Sequence, residues 1–379
     1  MSWPITGVGA VASVGRDVGE IFANLCAGQS GIGELRGFQR DLYTADYLFE
    51  IDDRPGPGRD EPRRATRFLL EAVRQAALDA GLGEDLSGVP VLVGTGLREL
   101  RSLELWSRDG VEFGPDELHF GPALRERFGA DDTHTFSNAC SAGLYALALA
   151  VDLLELGQAE TVIVAGVDVV TESMFGLADR FQTAAPQGVA PFDRNRTGAI
   201  LGEGAAAVVL RRRAADAPGP VKGVLRSVGV NCDAYHVTAP DPVGIAKAIR
   251  EAHQRAGVTA QDVDLILLHG TGTQLNDTAE AGAVDEVFGT SAGRPLMTAI
   301  KSMTGHTSGG SGLLGLITAI QSLTSGQVPP TVGLKDPIDE AERFRLVRDE
   351  AAVEQMSVAQ VNAFGFGGIN AVAIVEVAR

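Results

Sequence analysis

The chain has 379 residues, 45% hydrophobic and 21% charged, the balance of a water-soluble globular protein. Its net charge of −17 excludes a general nucleic-acid binder. Its length exceeds what one undivided core supports, so two lobes or two fused halves are expected. Three cysteines (Cys26, Cys140, Cys232) form neither a disulfide framework nor a metal-ligand spacing, which points to a reducing, cytoplasmic setting and to no bound metal.

Taken in order, residues 1–11 are apolar without a basic lead-in and read as a first strand rather than a signal peptide. A short helix is expected over 17–25. An irregular stretch over 41–59 is punctuated by Pro55, Gly56, Pro57 and Gly58. Phe68, Leu69, Ala72, Val73, Ala76 and Ala77 share one side of a predicted amphipathic helix over 63–80. A buried strand over 89–93 runs into Gly94-Thr95-Gly96, and 97–128 gives helical pieces and polar turns. An extended run then ends at Asn138-Ala139-Cys140-Ser141-Ala142-Gly143, and an apolar helix follows to Leu156. Further strands are predicted over 161–166, 204–210, 264–268 and 296–300. Residues 307–334 carry no charge but are broken by Gly, Ser, Thr and a Pro pair, so they read as a buried helix plus loop and not a membrane span.

The second half repeats the first. Gly143-Leu144, Leu147, Ala150, Leu154 and Gly157-Gln158 match Gly312-Leu313, Leu316, Ala319, Leu323 and Gly326-Gln327 at a constant offset of 169 residues. Upstream, Val93-Gly94-Thr95-Gly96 resembles His269-Gly270-Thr271-Gly272. Two matched segments in the same order imply a duplicated αβ unit, with α/β layers in each half. Gly309 falls where Cys140 does in the repeat, and the two helix starts are expected to face one another across a pseudo-twofold axis.

Cys140 is the candidate nucleophile. A thiol at a helix start meets unpaired N–H groups and the positive end of the macrodipole, which favour the thiolate. His269 ends a predicted strand and His306 follows one, both in Gly-rich turns at strand exits, where α/β proteins place function, and Lys301 is close to the second. His119, His134, His236 and His253 lack such a context and read as surface or core residues. Gly289-Thr290-Ser291-Ala292-Gly293 matches a hydrolase nucleophile elbow as a string, but lies between helix and strand in the wrong order.

Six stretches resemble the β-ketoacyl synthases of type II fatty-acid and polyketide synthesis, in family order and over nearly the whole chain. They are the Asn138–Gly143 segment, Pro191-Phe192-Asp193 with Gly202-Glu203-Gly204, Asp233-Ala234-Tyr235-His236, and His269-Gly270-Thr271-Gly272-Thr273. The last two are Lys301-Ser302-Met303-Thr304-Gly305-His306 and Asn362-Ala363-Phe364-Gly365-Phe366-Gly367-Gly368. The resemblance implies a thiolase-like fold, two pseudo-duplicated αβ halves (1–215 and 216–379) in a five-layer αβαβα arrangement. It implies that Cys140 accepts an acyl chain from an acyl carrier protein, and that malonyl carrier protein then decarboxylates and condenses with it.

By the same resemblance His269 and His306 stabilise the enolate, each donor worth about 3 kcal/mol in the transition state. Lys301 holds His306 and the local field, with Glu280 as counter-ion. The N–H groups of Cys140 and Phe366 form the oxyanion hole. Thr271 and Thr273 bind the phosphopantetheine arm of the carrier, the sole cofactor implied. Phe364 gates the acyl tunnel, and Arg63, Arg64 and Arg67 are candidates for docking the acidic carrier protein. A homodimer, or a heterodimer with a ketosynthase-like subunit, is expected.

The chain departs from that family at several points. Ala199 stands where Phe is usual over the malonyl group, Gly315 where Glu is usual, and Ile369 where Thr is usual. Leu97-Arg98-Glu99 replaces a Gly-containing turn of the acyl pocket. Three readings follow: condensation, in fatty-acid or more specialised polyketide synthesis; acyl transfer through Cys140 without decarboxylation; or a non-catalytic partner of a sister ketosynthase.

Overall fold

A computed structural model of the chain describes residues 2–54, 56, 59–181 and 185–378. Pro55, Pro57 and Gly58 of the irregular stretch lie outside the described residues. Ten strands carry the fold: β1 (Trp3–Ala12), β2 (Val91–Gly94), β3 (Thr133–Phe136), β4 (Thr161–Asp168), β5 (Gly204–Arg211), β6 (Gly223–Cys232), β7 (Leu265–Leu267), β8 (Leu296–Thr298), β9 (Val358–Gly365) and β10 (Ile369–Val377). Among the helices of the described residues, the longer ones that pack on them are α1 (Arg64–Asp79), α2 (Ala142–Glu155), α3 (Pro242–Ala256), α4 (Gln274–Phe288) and α5 (Ser311–Ser325).

The duplication is plain in the strand order. The first half runs β3-β2-β4-β5-β1 and the second β8-β7-β9-β10-β6, so each strand has its counterpart five places later. Directions match as well. β2 is parallel to β3 and β4, while β4–β5 and β5–β1 are antiparallel. β7 is parallel to β8 and β9, while β9–β10 and β10–β6 are antiparallel. The two sets join where Trp3–Ile5 of β1 pairs with Gly223–Leu225 of β6.

α2 and α5 touch strands of both sets and form the middle layer. α1 covers the outer face of the first set, and α3 with α4 that of the second. Because β4 and β5 are covered on both faces, they read as near-continuous apolar runs, as buried strands do. The predicted amphipathic face of α1 is buried as expected, from Phe68 through Ala77. Asp17 caps the short helix Val18–Cys26 by accepting from the N–H of Glu20 at 2.8 Å. The stretch 97–128 resolves into helices Leu100–Asp109 and Gly121–Phe128 around a 3-10 turn. Among the described residues no helix is long and apolar enough to cross a membrane.

The middle layer brings the functional turns together. Parallel strands β2, β3, β7 and β8 all end toward the starts of α2 and α5, so the turns leaving them meet at one place. The two helix starts do face each other. A Cβ on Gly143 lies 2.7 Å from the Gly309 carbonyl, and one on Gly312 lies 2.8 Å from Leu144.

Candidate active site

Cys140 sits in a 3-10 turn, Ala139–Ser141, between β3 and α2. Ala139 is left-handed (φ 49), an unfavourable state for a residue with a Cβ, and its strain is held by the surroundings. Ser141 supplies part of that hold, donating its hydroxyl to the Ile369 carbonyl at 2.9 Å. This ties the nucleophile turn to the β9–β10 hairpin that contains Phe366. The N–H groups of Phe366 and of Cys140 itself both reach the sulfur, the two donors assigned to the oxyanion hole.

The expected resting thiolate is corrected. Burial pushes the Cys140 thiol up to about 11, and the charge of Asp168 adds to the rise. Lys301 and the two N–H groups pull the other way and do not overcome desolvation. The helix start therefore aims an N–H group at the sulfur without leaving a free thiolate at neutral pH.

His269 leaves β7 into a turn fixed by two carboxylates one helical turn apart on α4. Glu280 accepts from the N–H groups of His269 (2.7 Å) and Gly270 (2.8 Å), and Asp277 from those of Thr271 (3.2 Å) and Gly272 (3.3 Å). Thr273 starts the same helix as its N-cap, accepting from Asn276 N. Asn362 of β9 donates to Glu280 at 3.0 Å. Lys301 donates to the His269 carbonyl at 2.5 Å and lies 3.4 Å from His269 Nδ1.

Two roles read from the resemblance change here. Lys301 bonds to His269 and not to His306, and Glu280 meets backbone and amide donors while acting on the ammonium from a distance. Both side chains are buried, so the pair is no surface salt bridge. Burial pulls Lys301 down to about 8 against the field of Glu280.

His306 is held by a backbone bridge: its N–H donates to the Ile200 carbonyl (2.9 Å) and its carbonyl accepts from Gly202 N (3.0 Å). The Ser308 N–H donates to His306 Nδ1 at 3.2 Å. With Nδ1 an acceptor, the neutral ring carries its proton on Nε2. The ammonium of Lys301 beside His269 Nδ1 sets the same tautomer there. Burial first, then the Lys301 charge, holds His306 down to about 3 and His269 well below its ordinary value, so both rings are neutral. The rings stand edge to face, 5.4 Å between centroids.

The remaining expected residues fall as follows. Thr271 and Thr273 share a hydroxyl hydrogen bond of 2.9 Å. Ala199 lies between the two histidine turns, since the Gly198 carbonyl abuts Gly272 and the Ile200 carbonyl accepts from His306. Leu97 donates its N–H to Asp168 at 2.8 Å. Phe364 is corrected as a gate: it is 4% exposed, with its ring 5.6 Å from that of His269, whereas Phe366 is 54% exposed. Gly315 lines a cavity of about 10 Å³ together with Lys301, Thr304, Thr307, Ser311 and Asn362. That is room for about one water molecule.

The basic cluster at the start of α1 is also corrected. Arg64 is 1% exposed and pairs with Glu203 (2.6 Å) and Asp53 (2.7 Å), because α1 begins under the loop that covers Glu203. Arg63 pairs with Glu117, and Arg67 with Glu61 (2.7 Å) and Asp53 (2.9 Å). Arg67 is exposed and Arg63 half-buried, but their charges are balanced. Sequence reading missed Asp168, Asp277 and Ser308. Asp168 left a signal, a lone carboxylate ending an apolar strand. Ser308 and Asp277 act on or through backbone N–H groups, which no pattern of side chains announces.

With this geometry in place, comparison with known proteins is direct. The profile described as "Beta-ketoacyl synthase, N-terminal domain" matches residues 132–216, and "Beta-ketoacyl synthase, C-terminal domain" matches 222–335. The 3-oxoacyl-[acyl-carrier-protein] synthase 2 of Synechocystis sp. is 30% identical over 97% of this chain and 95% of its own length. The protein of the same name from Vibrio harveyi is 31% identical over 97% and 96%. Among solved structures, the ishigamide ketosynthase/chain length factor superposes with a TM-score of 0.88 at 29% identity, covering 100% of this chain and 99% of that one. The duplicated sheet, the buried histidine pair and a match along nearly the whole length agree: the chain has the thiolase-like fold of the ketosynthases and belongs to the β-ketoacyl synthase family.

Proposed function

We propose that this ketosynthase condenses an acyl group held on Cys140 with malonyl carrier protein, in polyketide-type synthesis. The observation that carries the reading is the pair of neutral histidines, each with Nδ1 occupied and Nε2–H left to donate, beside a thiol lined by two N–H groups. In the first half-reaction the Cys140 sulfur attacks the acyl thioester carbonyl. The carrier's phosphopantetheine thiol leaves and takes the proton that Cys140 loses. In the second, the C–C bond to the malonyl carboxylate breaks and carbon dioxide departs. The electron pair passes into a thioester enolate whose oxygen accepts from both Nε2–H groups. The enolate carbon attacks the acyl carbonyl, whose oxyanion rests on the Cys140 and Phe366 N–H groups, and the Cys140 thiolate leaves.

The activity for which these relatives are named supports a carrier-protein substrate. Ala199 supports the polyketide reading, since the family's usual Phe gives way to a small side chain between the two histidine turns and frees room beside the extender. The polar threonine pair Thr271–Thr273 at the mouth of the His269 turn suits the phosphopantetheine arm. The open edge of β3 supports a dimer with an identical or ketosynthase-like partner. The test is incubation with acyl and malonyl carrier proteins, following carbon dioxide and the mass of Cys140. A ketoacyl product with carbon dioxide supports condensation. Acyl transfer without carbon dioxide contradicts it in favour of an acyltransferase, and no acylation by any chain favours a non-catalytic partner.

A further inference from the structure

Asp168 has no part in the reaction proposed above, yet it is a buried carboxylate at the heart of the molecule. It ends β4, and its charge is met by four hydrogen-bond donors. Oδ1 accepts from Thr95 Oγ1 (2.7 Å) and Leu97 N (2.8 Å), and Oδ2 from Gly96 N (2.7 Å) and Gly309 N (2.7 Å). Three of these donors belong to the turn leaving β2, which also holds Arg98, whose N–H donates to Thr95 Oγ1 at 2.8 Å. The fourth belongs to the 3-10 turn Ser308–Gly310 at the start of α5. In that turn the adjacent N–H of Ser308 is the donor that sets the tautomer of His306. One carboxylate therefore clasps a turn on the acyl side and the turn that aims the extender-side histidine.

We propose that Asp168 is a positioning residue that couples the two substrate subsites, fixing the Leu97 turn and the donor that orients His306 through one buried group. The assignment of sides rests on the function proposed above. Both oxygens are needed, because each accepts two bonds. An amide in the same place has one accepting oxygen and, in either orientation, would turn an NH₂ donor toward at least one N–H group. Asp168 also lies close enough to Cys140 for its charge to oppose thiolate formation. The other groups acting on that sulfur are the Lys301 ammonium and the N–H groups of Phe366 and Cys140, and His269 and His306 nearby are neutral.

The test compares wild type with Asp168→Asn and Thr95→Val. Asp168→Asn keeps the volume of the side chain. It is expected to load a short acyl group within a few-fold of wild type and to lose roughly 10–100-fold in condensation, the scale of an ångström's misplacement. Its loading should also become less selective for chain length. The pH profile of Cys140 alkylation by iodoacetamide should move to lower pH, an electrostatic signature that a packing role alone does not produce. Thr95→Val keeps the charge while removing one donor, so it should shift the condensation-to-loading ratio in the same direction by less, with no alkylation shift. An Asp168→Asn protein that folds and keeps the wild-type ratio and alkylation profile overturns the proposal. So does one whose loading and condensation fall together.

If Asp168→Asn does not fold, an unchanged ratio in Thr95→Val overturns it. Should wild type neither load nor condense, the function proposed above fails. The coupling is then judged by amide hydrogen exchange: faster exchange at Leu97 and Ser308 together in Thr95→Val supports it, and unchanged exchange at Ser308 overturns it.

Discussion

The starts of α2 and α5 are the same piece of backbone used twice, to opposite ends. Each opens on a left-handed residue with a Cβ, Ala139 (φ 49) and Ser308 (φ 45). Each is a three-residue 3-10 turn leading into a helix, Ala139–Ser141 and Ser308–Gly310. The middle residue is Cys140 in one and Gly309 in the other. In the first, the N–H of Cys140 reaches the sulfur, beside that of Phe366 from the β9–β10 hairpin, and is left available to an oxyanion. In the second, the equivalent N–H is spent on Asp168, and no side chain fits, since a Cβ on Gly309 would lie 2.5 Å from the Thr95 Cα. A helix start is thus a catalytic feature only where its donors are left unsatisfied. The second half contributes aim instead, through Ser308 and His306.

Four substitutions or conditions sharpen that contrast, beginning with the largest effect. His306→Ala removes the donor that the second turn aims. Condensation should fall about 100-fold while acyl loading stays within several-fold, measured by single-turnover assays of each half-reaction. Condensation at the wild-type rate would show that the second turn aims nothing. Gly309→Ala puts a methyl group into the closed turn and should destabilise the fold by about 1–3 kcal/mol in denaturant unfolding. Unchanged stability would mean that packing is not what keeps the second turn bare.

The pH profile comes next. Lys301 is held down at about 8, so it is protonated below that pH and donates to His269, and condensation should decline as pH rises through about 8. His306, at about 3, stays neutral down to that range and gives no acid limb between pH 5 and 7. An acid limb near 6.5 would contradict the neutral pair. Linkage adds a stability change of known sign. Below 6.5 an unfolded histidine binds a proton that buried His306 refuses, so stability falls as pH drops from 6.5 toward 3. Smallest of all, Arg67→Ala lies away from both turns in a balanced, exposed ion-pair cluster. It should cost no more than about 1 kcal/mol in stability and leave the KM for carrier protein within about twofold. A tenfold rise in that KM would restore Arg67 as a docking residue.

The repeat was the most legible part of the fold, because α2 and α5 are buried between sheets and their small-and-apolar pattern survives at a fixed offset. Cys140, His269 and His306 were legible for a similar reason, as each lies in a turn of small residues, the first two just after a strand and His306 just after the short helix Lys301–Thr304. What stayed hidden is what side chains do to backbone. Asp168, Asp277 and Glu280 spend their charge on N–H groups of turns, contacts between residues tens of positions apart or more for Asp168, with no motif of their own. Arg64, a docking candidate by resemblance, stands at a helix start, and helix ends are usually wet. Here the end is roofed by the loop that carries Asp53 and by Glu203. Desolvation, which decides the state of the thiol, depends on how much protein surrounds the sulfur, and no local pattern reports that.

Condensation as proposed needs Cys140 as the acylated nucleophile and the histidine pair as the site of decarboxylation. Intact-protein mass spectrometry after incubation with acyl carrier protein, with malonyl carrier protein added and carbon dioxide counted, tests both in one series. The expected result is one acyl adduct that maps to Cys140, its disappearance with release of carbon dioxide once the malonyl substrate is present, and no adduct on Cys140→Ala. Acylation of Cys140→Ala to the wild-type extent, or discharge of the adduct without carbon dioxide, would contradict it.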